Sequence, residues 1–167
     1  MNRDKVIQSQ RLKLIAPKWE HFEILFEGCF SQFDVMQFLV GKELSKDEAK
    51  EFFSSNFIGS GEYKVLILKD SNEIIGFGGI VEFEFKELVG FELGYVLMQK
   101  FWGRGYGIEI AKAQLDLILS LKEKPFATVH PKNLASHRIL SKIGMKRVVR
   151  QIEFKGRGLR DIYSFCR

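Results

Sequence analysis

FELGYVLMQKFWGRGYGIEIA, residues 91–111, is the stretch of this 167-residue chain that decides its fold. The segment from Val89 to Leu97 is apolar and reads as a strand. WGRGYG follows at 102–107, with glycine at 103, 105 and 107. From Ile108 the apolar positions Ala111, Leu115 and Ile118 recur at helical spacing, out to about Leu121. Strand, glycine-rich turn and helix therefore follow one another directly. Backbone N–H groups at a helix start have no internal partner, and the helix dipole is positive there. Glycines let that backbone approach an anion without a Cβ in the way, so a diphosphate is the natural ligand. A tight turn with no ligand would use the same residues. Two other phosphate motifs fail on spacing. A Walker loop needs Lys-Ser/Thr after its last glycine, and Ile108-Glu109 stands there. A dinucleotide fingerprint needs an acidic residue at the end of the next strand, where Thr128 and His130 stand instead.

Outward from this segment, strands and helices alternate. Arg11 to Ile15 alternates at period two and reads as a first strand, closed by Pro17. Phe22, Leu25, Phe26 and Cys29 mark one face of a helix beginning at Trp19. Asp34 to Leu39 reads as a short second helix, and Ser45 with Glu48 caps a third bearing Ala49, Phe52, Phe53 and Phe57. Tyr63 to Leu68 and Ile74 to Phe85 are strands joined by a turn at Asp70-Ser71-Asn72. Past the glycine segment, Phe126 to Val129 is a short strand. Asn133 and Ser136 open a helix that stops at Gly144. Arg147 to Phe154 and Asp161 to Phe165 form a closing hairpin around Gly156 and Gly158. The pattern predicts a single domain over 1–167, α/β in class, with a mixed sheet of about seven strands covered by helices.

Composition excludes several alternatives. Hydrophobic residues make up 46% and charged residues 28%, so the chain can build a core and is not disordered. The two cysteines, Cys29 and Cys166, are far apart, which rules out a zinc ribbon and fits a reducing, cytoplasmic compartment. No two of His21, His130 and His137 have metal-ligand spacing, so no metal site is expected. Apolar runs such as Val65 to Leu68 are far short of the ~18–20 residues that cross a bilayer, and MNRDKVIQSQ has no apolar signal core. The net charge of +5 resides wholly in residues 146–167. That asymmetry suits either a phosphate-bearing partner or a solvated edge hairpin. Nucleic-acid binding through this tail is disfavoured, because no helix clusters Arg and Lys.

Two segments in order, FELGYVLMQKFWGRGYGIEIA at 91–111 and HPKNLASHRILSKIGMKR at 130–147, resemble the GNAT N-acetyltransferase superfamily, most closely its RimJ/RimL-like branch. SQRLKL at 9–14 and FDVMQFL at 33–39 are similar too, so the resemblance covers nearly the whole chain. It implies a central, mostly antiparallel sheet splayed in the middle, with helices on both faces. It implies acetyl-CoA as cosubstrate, its pyrophosphate on Gly103, Arg104, Gly105, Tyr106, Gly107 and Ile108. The pantetheine arm would run beside the backbone of Val96, Leu97 and Met98, and along Asn133 and Ser136. The resemblance also implies an amine acceptor, either a small molecule or a protein N-terminus, and a monomer or homodimer. An acyl-CoA sensor without turnover would carry the same fold.

Acetyl transfer to an amine needs a neutral nucleophile, a stabilised oxyanion and a protonated leaving thiolate. Glu92, in an otherwise apolar strand, is the candidate base, since desolvation favours a raised carboxyl pKa. A hydrogen bond to a neighbouring loop is its other use, and Glu82 or Glu84 are substitutes. Members of the family commonly carry a Tyr seven residues after the motif Asn; here Leu140 stands there. Ser136 or water is then the acid, unless its hydroxyl merely caps the helix. Arg104 is a phosphate ligand or a solvated loop residue, and Trp102 a packing residue. Phe30, Phe33, Phe38, Phe83 and Phe85 either wall an acceptor cleft or fill the core.

Overall fold

Leu12 and Leu14 point into the core while Lys13 and Ile15 are half-buried, so the first strand keeps its period of two. The computed structural model describes residues 6–154 and 156–165. Its strands are β1 (Leu12–Ile15), β2 (Lys64–Leu68), β3 (Ile74–Phe85), β4 (Leu88–Leu97), β5 (Pro125–Val129), β6 (Lys146–Phe154) and β7 (Gly158–Ser164). They form one sheet in the order β1-β2-β3-β4-β5-β7-β6. All neighbours are antiparallel except β4 and β5.

That one parallel contact shapes the molecule. The β3–β4 hairpin is continuous from Gly76↔Leu97 to Phe85↔Leu88. On its other edge β4 pairs with β5 only at Phe91↔Pro125 and Glu92↔Phe126. Beyond Glu92 the two strands separate, and the edge of β4 from Leu93 to Leu97 has no strand partner on that side.

The helices are α1 (Phe22–Leu25), α2 (Phe33–Met36), α3 (Lys46–Phe53), α4 (Tyr106–Ser120) and α5 (Leu134–Lys142). Ala111, Leu115 and Ile118 of α4 and Leu140 of α5 pack with Leu93, Ala127 and Val129 on one face of the sheet. On the other face α1 and α3 close over Phe77, which is fully buried among Phe30, Phe57 and Tyr63, with ring centroids 5.2–5.7 Å apart. The capping box at Ser45 forms as expected. Its Oγ accepts from the Glu48 N–H at 3.3 Å, and Glu48 accepts from the Ser45 N–H at 2.9 Å.

The expected helix from Trp19 to Cys29 is shorter and less regular than its periodicity predicts. A 3-10 turn at Trp19–His21 leads into α1, and a π-helical turn follows at Phe26–Phe30. The wider turn has a packing reason. Met98 lies against Gly28 so closely that an added Cβ would sit 2.5 Å from its sulfur, and Phe30 is buried beneath. A second π-helical turn, Ser54–Gly59, extends α3 and brings Phe57 onto Phe53 at 4.7 Å. Of the proposed cleft aromatics, Phe30 and Phe83 are core and Phe33 is exposed.

Cys29 is buried and unpaired, and burial pushes its thiol pKa up. Cys166 lies outside the described residues.

The Phe77 ring packs on Phe30 and Phe57, in the π-helical turns that follow α1 and α3, and so ties both turns to the sheet. Phe77→Ala should destabilise the fold by about 3–5 kcal/mol, the usual loss for deleting a buried ring. Urea unfolding of wild type and variant measures this; a loss below about 1 kcal/mol would mean that the cluster repacks around the gap.

Candidate active site

The separation of β4 from β5 opens a cleft of about 1020 Å³, lined from both faces of the sheet. One side of it meets Tyr95, Val96, Leu97, the turn 103–108 and the start of α5. Its other half meets Asp34, Phe38, Phe52, Asn56, Glu62 and Tyr63. Glu92 and Arg157 lie in the wall as well.

Each glycine of the turn has its own physical reason. Gly103 and Gly105 adopt φ of +74° and +82°, a left-handed conformation that disfavours any side chain. Gly105 is the N-cap of α4 and supplies no side chain to its free N–H groups, which stay available to a ligand. Gly107 is instead a packing requirement. A Cβ there would lie 2.9 Å from Ile139 Cδ1 and 3.4 Å from the Tyr95 hydroxyl, so a larger residue would displace the Ile139 methyl end at the α4–α5 contact.

The loop is braced from β1, which sequence spacing did not reveal. Arg11 donates from Nε to Glu109 at 2.7 Å and from both terminal nitrogens to the Arg104 carbonyl at 3.3 Å. Its guanidinium also lies 4.5 Å above the Tyr106 ring. Arg104 itself stacks over Phe101 at 5.5 Å, and Trp102, partly exposed, donates from its indole N–H to the Leu97 carbonyl at 2.8 Å.

Asn133 caps α5, its side-chain oxygen accepting from the Ser136 N–H at 3.2 Å. The Ser136 hydroxyl is therefore not the cap. It lines the cleft beside Tyr95, whose hydroxyl is buried without a hydrogen-bond partner. Burial pushes that phenol's pKa up. His130, at the cleft wall, stacks on Phe38 at 5.2 Å; burial and the nearby charges of Arg160 and Lys132 hold its pKa down.

Glu92 is 7% exposed, as the apolar strand implied, but it has strong partners. Arg157 donates to both of its oxygens, at 3.0 and 2.9 Å. The Thr128 hydroxyl donates to Oε1, and the Thr128 N–H approaches the same oxygen at 3.3 Å. Glu92, at the last paired position, thus takes up a β5 N–H just where the strands part. For Arg157, burial lowers the guanidinium pKa, and the hydrogen bonds and charge of Glu92 more than offset it. Glu82 and Glu84 are exposed and lie outside the cleft wall.

Three of the basic residues after position 145 have partners within the protein, while Lys146 and Arg150 are exposed. Arg147 pairs with Asp161 at 2.9 Å, Arg157 with Glu92, and buried Arg160 donates to the Leu159 and Leu39 carbonyls. Among the described residues, no helix is long and apolar enough to cross a membrane.

Comparison with known proteins agrees with this geometry. The family described as Acetyltransferase (GNAT) domain matches residues 11–146. YnaD, an uncharacterised N-acetyltransferase of Bacillus subtilis (strain 168), is 28% identical over 145 residues, covering 84% of this chain and 82% of its own. The GNAT-family acetyltransferase structure from Bacillus anthracis superposes with a TM-score of 0.76 at 26% identity, covering 96% of each chain. RimL, a ribosomal L7/L12 α-N-protein acetyltransferase solved with coenzyme A, shares the fold at a TM-score of 0.72 and 18% identity, covering 96% of this chain and 97% of its own.

Removing Arg157 leaves a nearly buried carboxylate with Thr128 as its remaining partner. Arg157→Met should therefore cost about 1–2 kcal/mol of stability, the lower part of the range for an orphaned buried charge because the guanidinium is itself partly exposed. Thermal or urea unfolding tests this; an unchanged midpoint would show that water replaces the guanidinium freely.

Proposed function

This chain belongs to the GNAT acetyltransferase family, and we propose that it transfers acetyl from acetyl-CoA to an amine that attacks the thioester directly in the β4–β5 cleft. The observation that carries the reading is the cleft itself: a free β4 edge leading from a glycine-bearing helix N-terminus to a buried carboxylate. Acetyl-CoA, when bound, supplies the activated acyl group.

The pyrophosphate rests on residues 103–108, where the α4 N–H groups and dipole favour an anion. The pantetheine amides pair with the cleft-facing peptide groups of β4 around Val96 and Leu97, as an added strand would; the Met98 N–H is not open to them, since it donates to the Ile75 carbonyl at 2.9 Å. Asn133 and Ser136 flank the arm from α5, and Ser136 faces the departing sulfur. A backbone N–H near Val96 stabilises the developing oxyanion.

The acceptor enters the half of the cleft bearing Asp34 and Glu62, whose charge favours a cation. Glu92 takes the amine's proton. Its pair with Arg157 sets a condition on that step: the guanidinium must yield a carboxylate oxygen, and an incoming ammonium is a natural competitor for it. An α-amine, with a pKa of roughly 7.7–8.0, makes a smaller demand on the base than an alkyl amine near ~10.4. Protein N-termini and small amines both satisfy this chemistry.

Release of free thiol from acetyl-CoA, over a panel of polyamines, aminoglycosides and N-terminal peptides, tests the reading. At least one acceptor should raise release well above hydrolysis. Binding of acetyl-CoA with no transfer to any amine would favour a sensor instead. With the acceptor identified, Glu92→Gln should lower kcat/KM by about 10²–10⁴-fold near neutral pH, the range of a positioned base. The deficit should shrink toward pH 10, where the free amine is abundant. Parallel profiles within about threefold would leave Glu92 only its structural task.

A further inference from the structure

The two carboxylate oxygens of Glu92 are not equivalent. Oε1 accepts from the Thr128 hydroxyl, from the Thr128 N–H at 3.3 Å and from Arg157 Nη2 at 2.9 Å. Among the described residues, Oε2 accepts only from Arg157 Nη1, at 3.0 Å. Each carboxylate oxygen offers roughly two lone-pair sites, so Oε1 is saturated while Oε2 keeps room for another hydrogen.

Thr128 is the source of this asymmetry. It stands on β5, just past Phe126, the last residue that pairs with β4, and it lines the cleft. Its hydroxyl meets both members of the ion pair, since Arg157 Nη2 donates to Thr128 Oγ1 at 2.7 Å. A guanidinium has only hydrogens to offer, and the carboxylate paired with it only lone pairs. The threonine proton is therefore committed to Glu92 Oε1, and a threonine lone pair to Arg157. Arg157 Nη2 is shared between Oε1 and Thr128, whereas Nη1 bonds to Oε2 alone among the described residues. An acceptor that takes Oε2 from Nη1 thus leaves the guanidinium anchored through Nη2, and the pair opens on one side only.

We propose that Thr128 is a positioning residue that holds Glu92 Oε1 and Arg157 Nη2 together, so that Oε2 is the oxygen released to the acceptor's ammonium group. The inference rests on the acetyl-transfer reading above, with Glu92 as its base. In the step itself an N–H bond of the ammonium breaks, its electron pair stays on nitrogen, and the proton goes to Oε2. The neutral nitrogen then attacks the thioester carbon, and Glu92 returns the proton to water before the next turnover. Thr128 neither gains nor loses a proton. Its hydrogen bonds keep the carboxylate from turning and the guanidinium from following the acceptor out of the wall.

Thr128→Val replaces the hydroxyl with a methyl and keeps the branched shape that suits a strand. It should lower kcat/KM for the amine about 10-fold, the effect of losing one hydrogen bond to a charged group. The KM for acetyl-CoA should stay within about twofold, because the hydroxyl acts on the base and not on the cofactor. Thr128→Ser, which restores the hydroxyl without the methyl, should recover most of the rate; a packing role would make Val the milder change. In a Glu92→Gln background Thr128→Val should have little further effect, since the base it positions is gone. The assay is thiol release with the best acceptor of the panel. A Thr128→Val enzyme within about twofold of wild type, a Ser variant no better than Val, or an equal loss in both backgrounds would overturn the proposal. Wild-type protein inactive with every amine would remove the acetyl-transfer reading itself, and this proposal with it.

Discussion

Two parallel strands that pair for two residues and then part impose the main constraint on this protein. Every other junction in the sheet is antiparallel and runs the length of its strands, with bulges in β2–β3 and β6–β7, so most backbone groups are satisfied strand to strand. At β4 and β5 that rule is suspended from Leu93 onward, and a row of peptide groups faces a cleft. An open edge inside a sheet is unfavourable unless something occupies or braces it. The flanking features answer that need. Gln114 of α4, fully buried, reinforces the neighbouring β3–β4 ladder rather than the open edge, donating to the carbonyls of Gly79 and Gly94. Glu92 takes up the Thr128 N–H at the point of parting, and Arg157 locks the carboxylate in place.

The same ion pair links the two halves of the reaction. Arg157 comes from the turn between β6 and β7, Glu92 from the centre of the sheet, and both line the wall of the cleft. A carboxylate holding the fork closed at one end is also the group proposed to receive the amine's proton. Stability and basicity therefore oppose each other at one residue, because a tightly held carboxylate gives up its partner reluctantly. On the opposite face of β4 the arrangement is reversed: Tyr95 is under-satisfied rather than saturated.

Much of this architecture was legible in the sequence because its signals are local. The glycine turn, the α4 periodicity, the Ser45 box and the β3 and β4 boundaries depend on neighbours a few residues away. The π-helical turns were not legible. Phe22, Phe26, Phe30 and Phe53, Phe57 fit a regular helix equally well; at the first turn Met98 lies against Gly28, a contact from a distant segment, and nothing in the structure explains the second. The partners of the site were hidden for a different reason. Arg157 reaches Glu92 across 65 positions and Arg11 reaches Glu109 across 98, separations that no spacing rule addresses. The internal partners of the basic tail were hidden for the same reason: Asp161, Glu92 and the Leu39 carbonyl come up beside Arg147, Arg157 and Arg160 only in the folded hairpin.

Amide hydrogen exchange, followed with and without saturating acetyl-CoA, tests the central claim most directly: the open edge of β4 is where the cofactor lies. Free peptide groups on that edge should exchange faster than the β3–β4 ladder around them. Acetyl-CoA should slow exchange at Tyr95 and Leu97, whose N–H groups β4 turns toward the cleft, and at residues 103–108, while β1 and β6 at the sheet edges stay as they were. Saturating binding that leaves both segments unchanged, or that protects some other part of the chain, would contradict the account.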